Sequence, residues 1–130
     1  MTCHILANAI ERNLNVIVSA PLGMGVVTST LEELSKGSRS VINLNQNSLR
    51  WDLTAAINMQ TEVIVFDSLE RTDPELQDAA AELMRSRSLG GIKLPNLKSV
   101  VGFFSRTTDE MDDLADSYAA LGPSLAMDWR

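Results

Sequence analysis

The chain has 130 residues, 45% of them hydrophobic and 5% aromatic, which excludes a disordered protein and predicts one domain, 1–130, with an aliphatic core. A formal net charge of −6 argues against direct nucleic-acid binding, which needs a basic surface. One cysteine, Cys3, and one histidine, His4, leave no internal disulfide, no cysteine-built metal site and no histidine dyad.

The opening residues carry Glu11 and Arg12 inside the apolar run and lack a basic start, so no secretory leader is predicted. They read as a helix over 2–12, with Ile5, Leu6, Ala9 and Ile10 on one face. Residues 14–20, LNVIVSA, form a β-branched run suited to a strand buried on both faces. The apolar stretch from Val16 to Val27 is broken by Ser19, Pro21, Gly23 and Gly25. It is too short to span a bilayer, so the expectation is a cytoplasmic protein with no membrane contact. A Gly-rich turn at 21–25 leads into a helix over 26–36 that ends at Gly37.

The second strand is VINLN, 41–45, followed by a helix over 49–59 capped by Asn47 or Ser48. The third strand, EVIVFD at 62–67, has the strongest strand signal in the chain. Asp73 caps the next helix, Pro74 takes its first position, and Gly90–Gly91 stop it after about Ser88. A loop with Pro95 leads to the fourth strand, 99–104. An acidic helix over 109–120 follows, broken by Gly122–Pro123 before a short C-terminal turn. Strands alternating with helices predict a three-layer αβα sandwich on a mostly parallel four-stranded sheet. Ligands in such sheets sit beyond the carboxyl ends of the strands, here residues 20–28, 67–70 and 104–107.

The segment APLGMGVVTS at 20–29 has the outline of a phosphate-binding loop. Such a loop needs glycines for close backbone approach, a lysine for the terminal phosphates and a Ser or Thr for Mg²⁺. Against GxxxxGK[ST], Ala20 takes the first glycine, Gly25 the second, Val26 the lysine and Val27 the hydroxyl residue. Thr28 carries a hydroxyl one position later, turned by about 100° on a helix. Any retained nucleotide site would therefore rest on the backbone of Leu22, Gly23, Met24, Gly25, Val26, Val27 and Thr28. The competing reading is that the glycines only make a tight strand-to-helix turn. Asp67, ending a hydrophobic strand, is placed to hold Mg²⁺ if any is bound, or else caps the turn. The next residue is Ser68, a poor general base, with Glu70 two positions beyond.

In order and spacing these pieces resemble the AAA+ ATPase core, a P-loop fold, nearest its MoxR-like and dynein-related branch. The resemblance covers about 14–130 and is carried by APLGMGVVTS, VIVFDS, DPELQDAAAELMRSRSLGGIKLPN, VVGFFSRTTDE and LGPSLAMDWR. It implies that Ser105 stands where the family has its sensor asparagine, and that the arginine finger falls at Asp128 or Arg130. It further implies a fifth strand and a helical lid that cannot be fitted after Arg130, leaving the first strand at an open edge or covered by the 2–12 helix.

A kept scaffold without lysine or acidic base predicts no catalytic residue and no cofactor, and a module that binds a protein: an ATPase, or copies of itself. The alternative is a regulator that binds ATP or ADP with Mg²⁺ and hydrolyses it weakly or not at all. Candidate partner contacts are Arg85, Arg87, Asp109, Asp112, Asp113, Trp129 and Arg130. For the acidic residues the plainer reading is a solvated helix face.

Overall fold

A computed structural model describes residues 8–20, 40–105, 118 and 124–128. Five strands lie in one sheet: β1 (Asn15–Ala20), β2 (Val41–Leu44), β3 (Val63–Phe66), β6 (Ser99–Ser105) and β7 (Ser124–Asp128). Their spatial order is β2-β3-β6-β1-β7, and every neighbouring pair is parallel. Between them run helices α1 (Arg50–Ala56) and α2 (Pro74–Ser86), a 3₁₀ turn at Leu69–Arg71, and a small hairpin of β4 (Ser88–Leu89) and β5 (Ile92–Lys93).

The β-branched runs explain the layers. Successive side chains of a strand point to opposite faces, so a strand apolar throughout must be covered on both. Val16, Val18, Val63, Val65, Val101 and Phe103 meet Ala9 and Ile10 of the helical residues 8–11 on one face. Ile17, Ile64, Phe66, Val100 and Phe104 meet Leu76, Ala80, Leu83 and Met84 of α2 on the other. The αβα sandwich read from the sequence is thus the observed architecture, and its four strands all belong to the parallel sheet.

The C-terminal turn and the open edge are corrected. Residues 124–128 form β7, paired with β1 from Asn15↔Ser124 to Ser19↔Asp128. This fifth strand closes the edge of β1, while Ala9 and Ile10 of the first helix pack on a sheet face. SLAMD is short and lacks a β-branched run, so the Gly122–Pro123 break before it read as the end of structure. The sequence-predicted helices over 26–36 and 109–120 lie outside the described residues, apart from Tyr118, which is helical.

Helix ends show similar corrections. Asp73 caps α2 as expected, its Oδ2 accepting the Glu75 N–H at 3.1 Å. The cap of α1 is Leu49 rather than Asn47 or Ser48, and the Asp52 carboxylate accepts the Leu49 N–H at 2.7 Å. Ser48 is already used, its Oγ accepting the Asn45 N–H at 3.0 Å. α2 stops at Ser86 because Arg87 turns left-handed, φ 55°, a conformation usually left to glycine. Gly90 and Gly91, at φ 60° and 82°, then make the tight turn of the hairpin. The Glu82 carboxylate accepts both their N–H groups, at 3.1 and 3.3 Å, and these bonds hold its pKa below the usual carboxylate value.

Tyr118 is the only tyrosine in the chain and lies buried against Phe104, ring centroids 5.8 Å apart. Its hydroxyl donates to the Gln77 carbonyl at 3.1 Å. Burial, and then the charge of Asp78, push its phenol up to about 12 from 10.0. An absorbance titration of the phenolate is therefore expected to show its midpoint near 12. A folded-state pKa above the unfolded one means that this contribution to stability is full below 10.0 and is lost as pH rises toward about 12. A midpoint at 10.0 in folded protein would put Tyr118 in solvent and remove this packing.

Candidate functional site at the carboxyl end of the sheet

All five strands are parallel, so their carboxyl ends share one edge. In register, Ala20 pairs with Ser105 at the ends of β1 and β6. Ser105 therefore lies at the sheet's carboxyl edge. Residues 22–28, the candidate phosphate loop, follow β1 directly but lie outside the described residues. Asp109, Asp112, Asp113, Trp129 and Arg130 also lie outside them.

Asp67 follows β3 at the same edge and is half-buried. Its N–H donates to the Leu44 carbonyl at 2.7 Å, tying the turn to the end of β2. Ser68 sits in the left-handed region, φ 54° and ψ 56°, where a residue with a Cβ is uncommon and mildly strained. Its hydroxyl donates to Asp67 Oδ1 at 3.1 Å. The side chain in the place of a water-activating acid is thus a hydrogen-bond donor to Asp67.

What holds this acidic turn was missed in the sequence. Gln77, on the first turns of α2, points its amide back at the loop and donates to the Leu69, Glu70 and Thr72 carbonyls at 3.1, 3.3 and 3.2 Å. Thr72 Oγ1 adds a bond to the Leu69 carbonyl at 2.8 Å, and Leu69 is fully buried beneath. One side chain thus gives a donor to the Glu70 and Thr72 carbonyls and shares it with the Leu69 carbonyl, which also accepts from the Thr72 N–H and hydroxyl. A Gln four residues into a capped helix carries no sequence signal of that role, because it depends on the loop folding back.

Among the described residues no group of three or more His, Cys, Asp or Glu side chains converges as a metal site. Asp67 is the carboxylate that follows β3 at this edge and could supply one ligand to a divalent cation.

The two arginines separate. Arg85 is exposed in the last turn of α2 and remains available at the surface. Arg87 is half-buried at the opposite, amino end of the sheet, away from Asp67. Its guanidinium donates to Asn15 Oδ1, to the Asn13 carbonyl at 2.8 Å and to the Lys98 carbonyl at 3.1 Å. All three bonds lie inside the chain, which sets this side chain apart from a free surface contact.

Two mutant forms of Thermotoga maritima RuvB share this architecture. One superposes with a TM-score of 0.63 at 17% identity, covering 95% of this chain and 42% of RuvB. The other gives 0.62 at 17% identity, covering 92% and 41%. The chain has the fold of these RuvB structures. The chain spans about two fifths of the RuvB chain, and at this identity the likeness concerns the fold alone. No protein-family model and no curated protein matches the sequence. Among the described residues no helix is long and apolar enough to cross a membrane.

Proposed function

We propose that the chain is a non-catalytic AAA+-like module that binds a protein partner, acting as a subunit mimic, adaptor or inhibitor of an ATPase. Its motifs are nearest the MoxR-like and dynein-related branch. The observation that carries this reading is the acidic turn. Its backbone is held in place by Leu44, Gln77 and Thr72, yet the residue after Asp67 is a serine whose hydroxyl donates a hydrogen bond to Asp67 itself. Val26 stands where a phosphate-clamping lysine belongs, so both hydrolysis and tight triphosphate binding lack their side chains. A second reading, a nucleotide-binding regulator, is favoured by the half-buried carboxylate of Asp67 at the right edge of the sheet.

Calorimetric titration separates the two. The expected result is no binding of ATP or ADP up to millimolar concentration, with or without Mg²⁺, and partner capture that is indifferent to nucleotide. Micromolar, Mg²⁺-dependent binding that Asp67→Asn or Gly25→Val abolishes in a folded protein would replace the first reading by the second.

A further inference from the structure

Four large apolar side chains stand in solvent among the described residues: Leu49 at 46% exposure, Trp51 at 67%, Met59 at 50% and Ile92 at 62%. They are not scattered. Leu49 and Trp51 line an open groove of about 900 Å³ against the first turn of α2. Met59 and Ile92 line a second, of about 540 Å³, between the end of α1 and the hairpin. Arg50 and Thr54 line both, so the two grooves lie side by side along α1. Isolated exposed leucines are ordinary, whereas all such side chains gathered on one strip mark an interaction surface.

The wall of this strip is held in advance. Glu82 clamps the Gly90–Gly91 turn through two N–H bonds, which fixes where Ile92 stands. Preset walls cost little ordering entropy when something docks. A small molecule would stay largely wet in so open a groove. An anionic membrane or nucleic acid meets a chain of net charge −6. At the α2 end the groove is lined by Asp73 and Glu75 together with Trp51 and Arg50, so its two carboxylates outnumber its one guanidinium. Two carboxylates and an exposed aromatic face together select a lysine or arginine, by ion pairing and by cation–π attraction.

We propose that this double groove docks one apolar segment of a partner protein, with a basic residue seated against Asp73, Glu75 and Trp51 and aliphatic side chains against Met59 and Ile92. The proposal rests on the protein-binding reading above and names the surface and the chemistry of the partner.

A displayed library of random short peptides, selected on the intact chain, tests it. The expected consensus is a lysine or arginine close in sequence to Leu, Ile or Val. The selected peptides should lose at least about tenfold in affinity on Trp51→Ser/Ile92→Ser, and comparably on Leu49→Ser/Met59→Ser. All four side chains are exposed, so both variants are expected to melt like the parent. Selected peptides that bind both variants as tightly as the parent overturn the proposal, as does an acidic consensus or no consensus. Binding to phosphatidylglycerol vesicles that the substitutions abolish would assign the strip to a lipid surface. A dimer in sedimentation that they dissolve would assign it to a second copy. Either result replaces the proposal. Failure here together with absent nucleotide binding leaves the module reading standing with its surface elsewhere; nucleotide binding removes that reading whatever the peptides do.

Discussion

Replacing Arg87 by alanine is expected to lower the unfolding free energy by about 3 kcal/mol, read as a fall in urea midpoint at unchanged slope. The guanidinium joins three pieces of chain that are far apart in sequence: Asn13 before β1, Asn15 at its start and Lys98 just before β6. Hydrogen bonds from a charged donor contribute about 1.5–3 kcal/mol each, reduced here by the desolvation of a half-buried cation and by the left-handed backbone of Arg87. Asn15 is the second half of the clamp. It is fully buried, its Nδ2 donating to the Met84 carbonyl at 2.9 Å and its Oδ1 accepting the Val100 N–H at 3.3 Å. Asn15→Ala should therefore cost as much, and the double substitution less than the sum, with a coupling of about 1–3 kcal/mol. Arg87→Gly separates the backbone from the side chain. It keeps the left-handed turn without a Cβ and should recover up to about 1 kcal/mol relative to alanine. Were Arg87 a partner contact and nothing more, alanine would change stability by no more than about 0.5 kcal/mol and would weaken capture instead.

That arginine also shows where reading the chain stops. β1, β3 and β6 were legible because strands covered on both faces must be apolar at every position, and 15–18, 63–66 and 100–104 are nearly so. Asp73–Pro74 was legible because a cap and a first-turn proline act locally. Asp67 was legible as the polar end of a buried strand. The features that escaped are non-local. A left-handed Arg87 is tolerated because three distant acceptors hold it, and nothing in RSRSLGG says so. Gly90–Gly91 can stop a helix or turn a hairpin, and the bond of Glu82 to both N–H groups decides for the hairpin. β7 has little strand signal of its own and is held by pairing with β1. The exposure of Trp51 and Ile92 was hidden too, since apolar residues in amphipathic patterns are read as core by default.

Gly102→Val is expected to cost about 2–3 kcal/mol and to disturb the acidic turn specifically. Gly102 lies in the middle of β6, paired with Ile17 of β1 and Phe66 of β3. A Cβ there would stand 3.2 Å from Leu69 Cδ2, 3.3 Å from Phe104 Cε2 and 3.6 Å from Met84 Cε. All three are side-chain ends that can give by a few tenths of an ångström. Alanine should therefore be nearly neutral, its squeeze offset by about 0.4–1 kcal/mol from a less flexible unfolded chain. Valine adds two more carbons to a closed space, and the nearest neighbour it displaces is Leu69. That residue is the buried anchor of the turn carrying Ser68 and Asp67, so pressure on it is transmitted to the candidate site. Amide chemical shifts and exchange rates of residues 67–72 should change in Gly102→Val and stay near parental in Gly102→Ala. If valine proves as mild as alanine, or if its cost leaves 67–72 untouched, the close approach of turn to sheet is not what glycine serves here. The variant also separates the acidic turn from the docking strip, whose lining residues lie outside 67–72. A folded Gly102→Val chain should keep peptide binding at Trp51 and Ile92 while its acidic turn is displaced. The opposite pattern would move the working surface to the carboxyl end of the sheet.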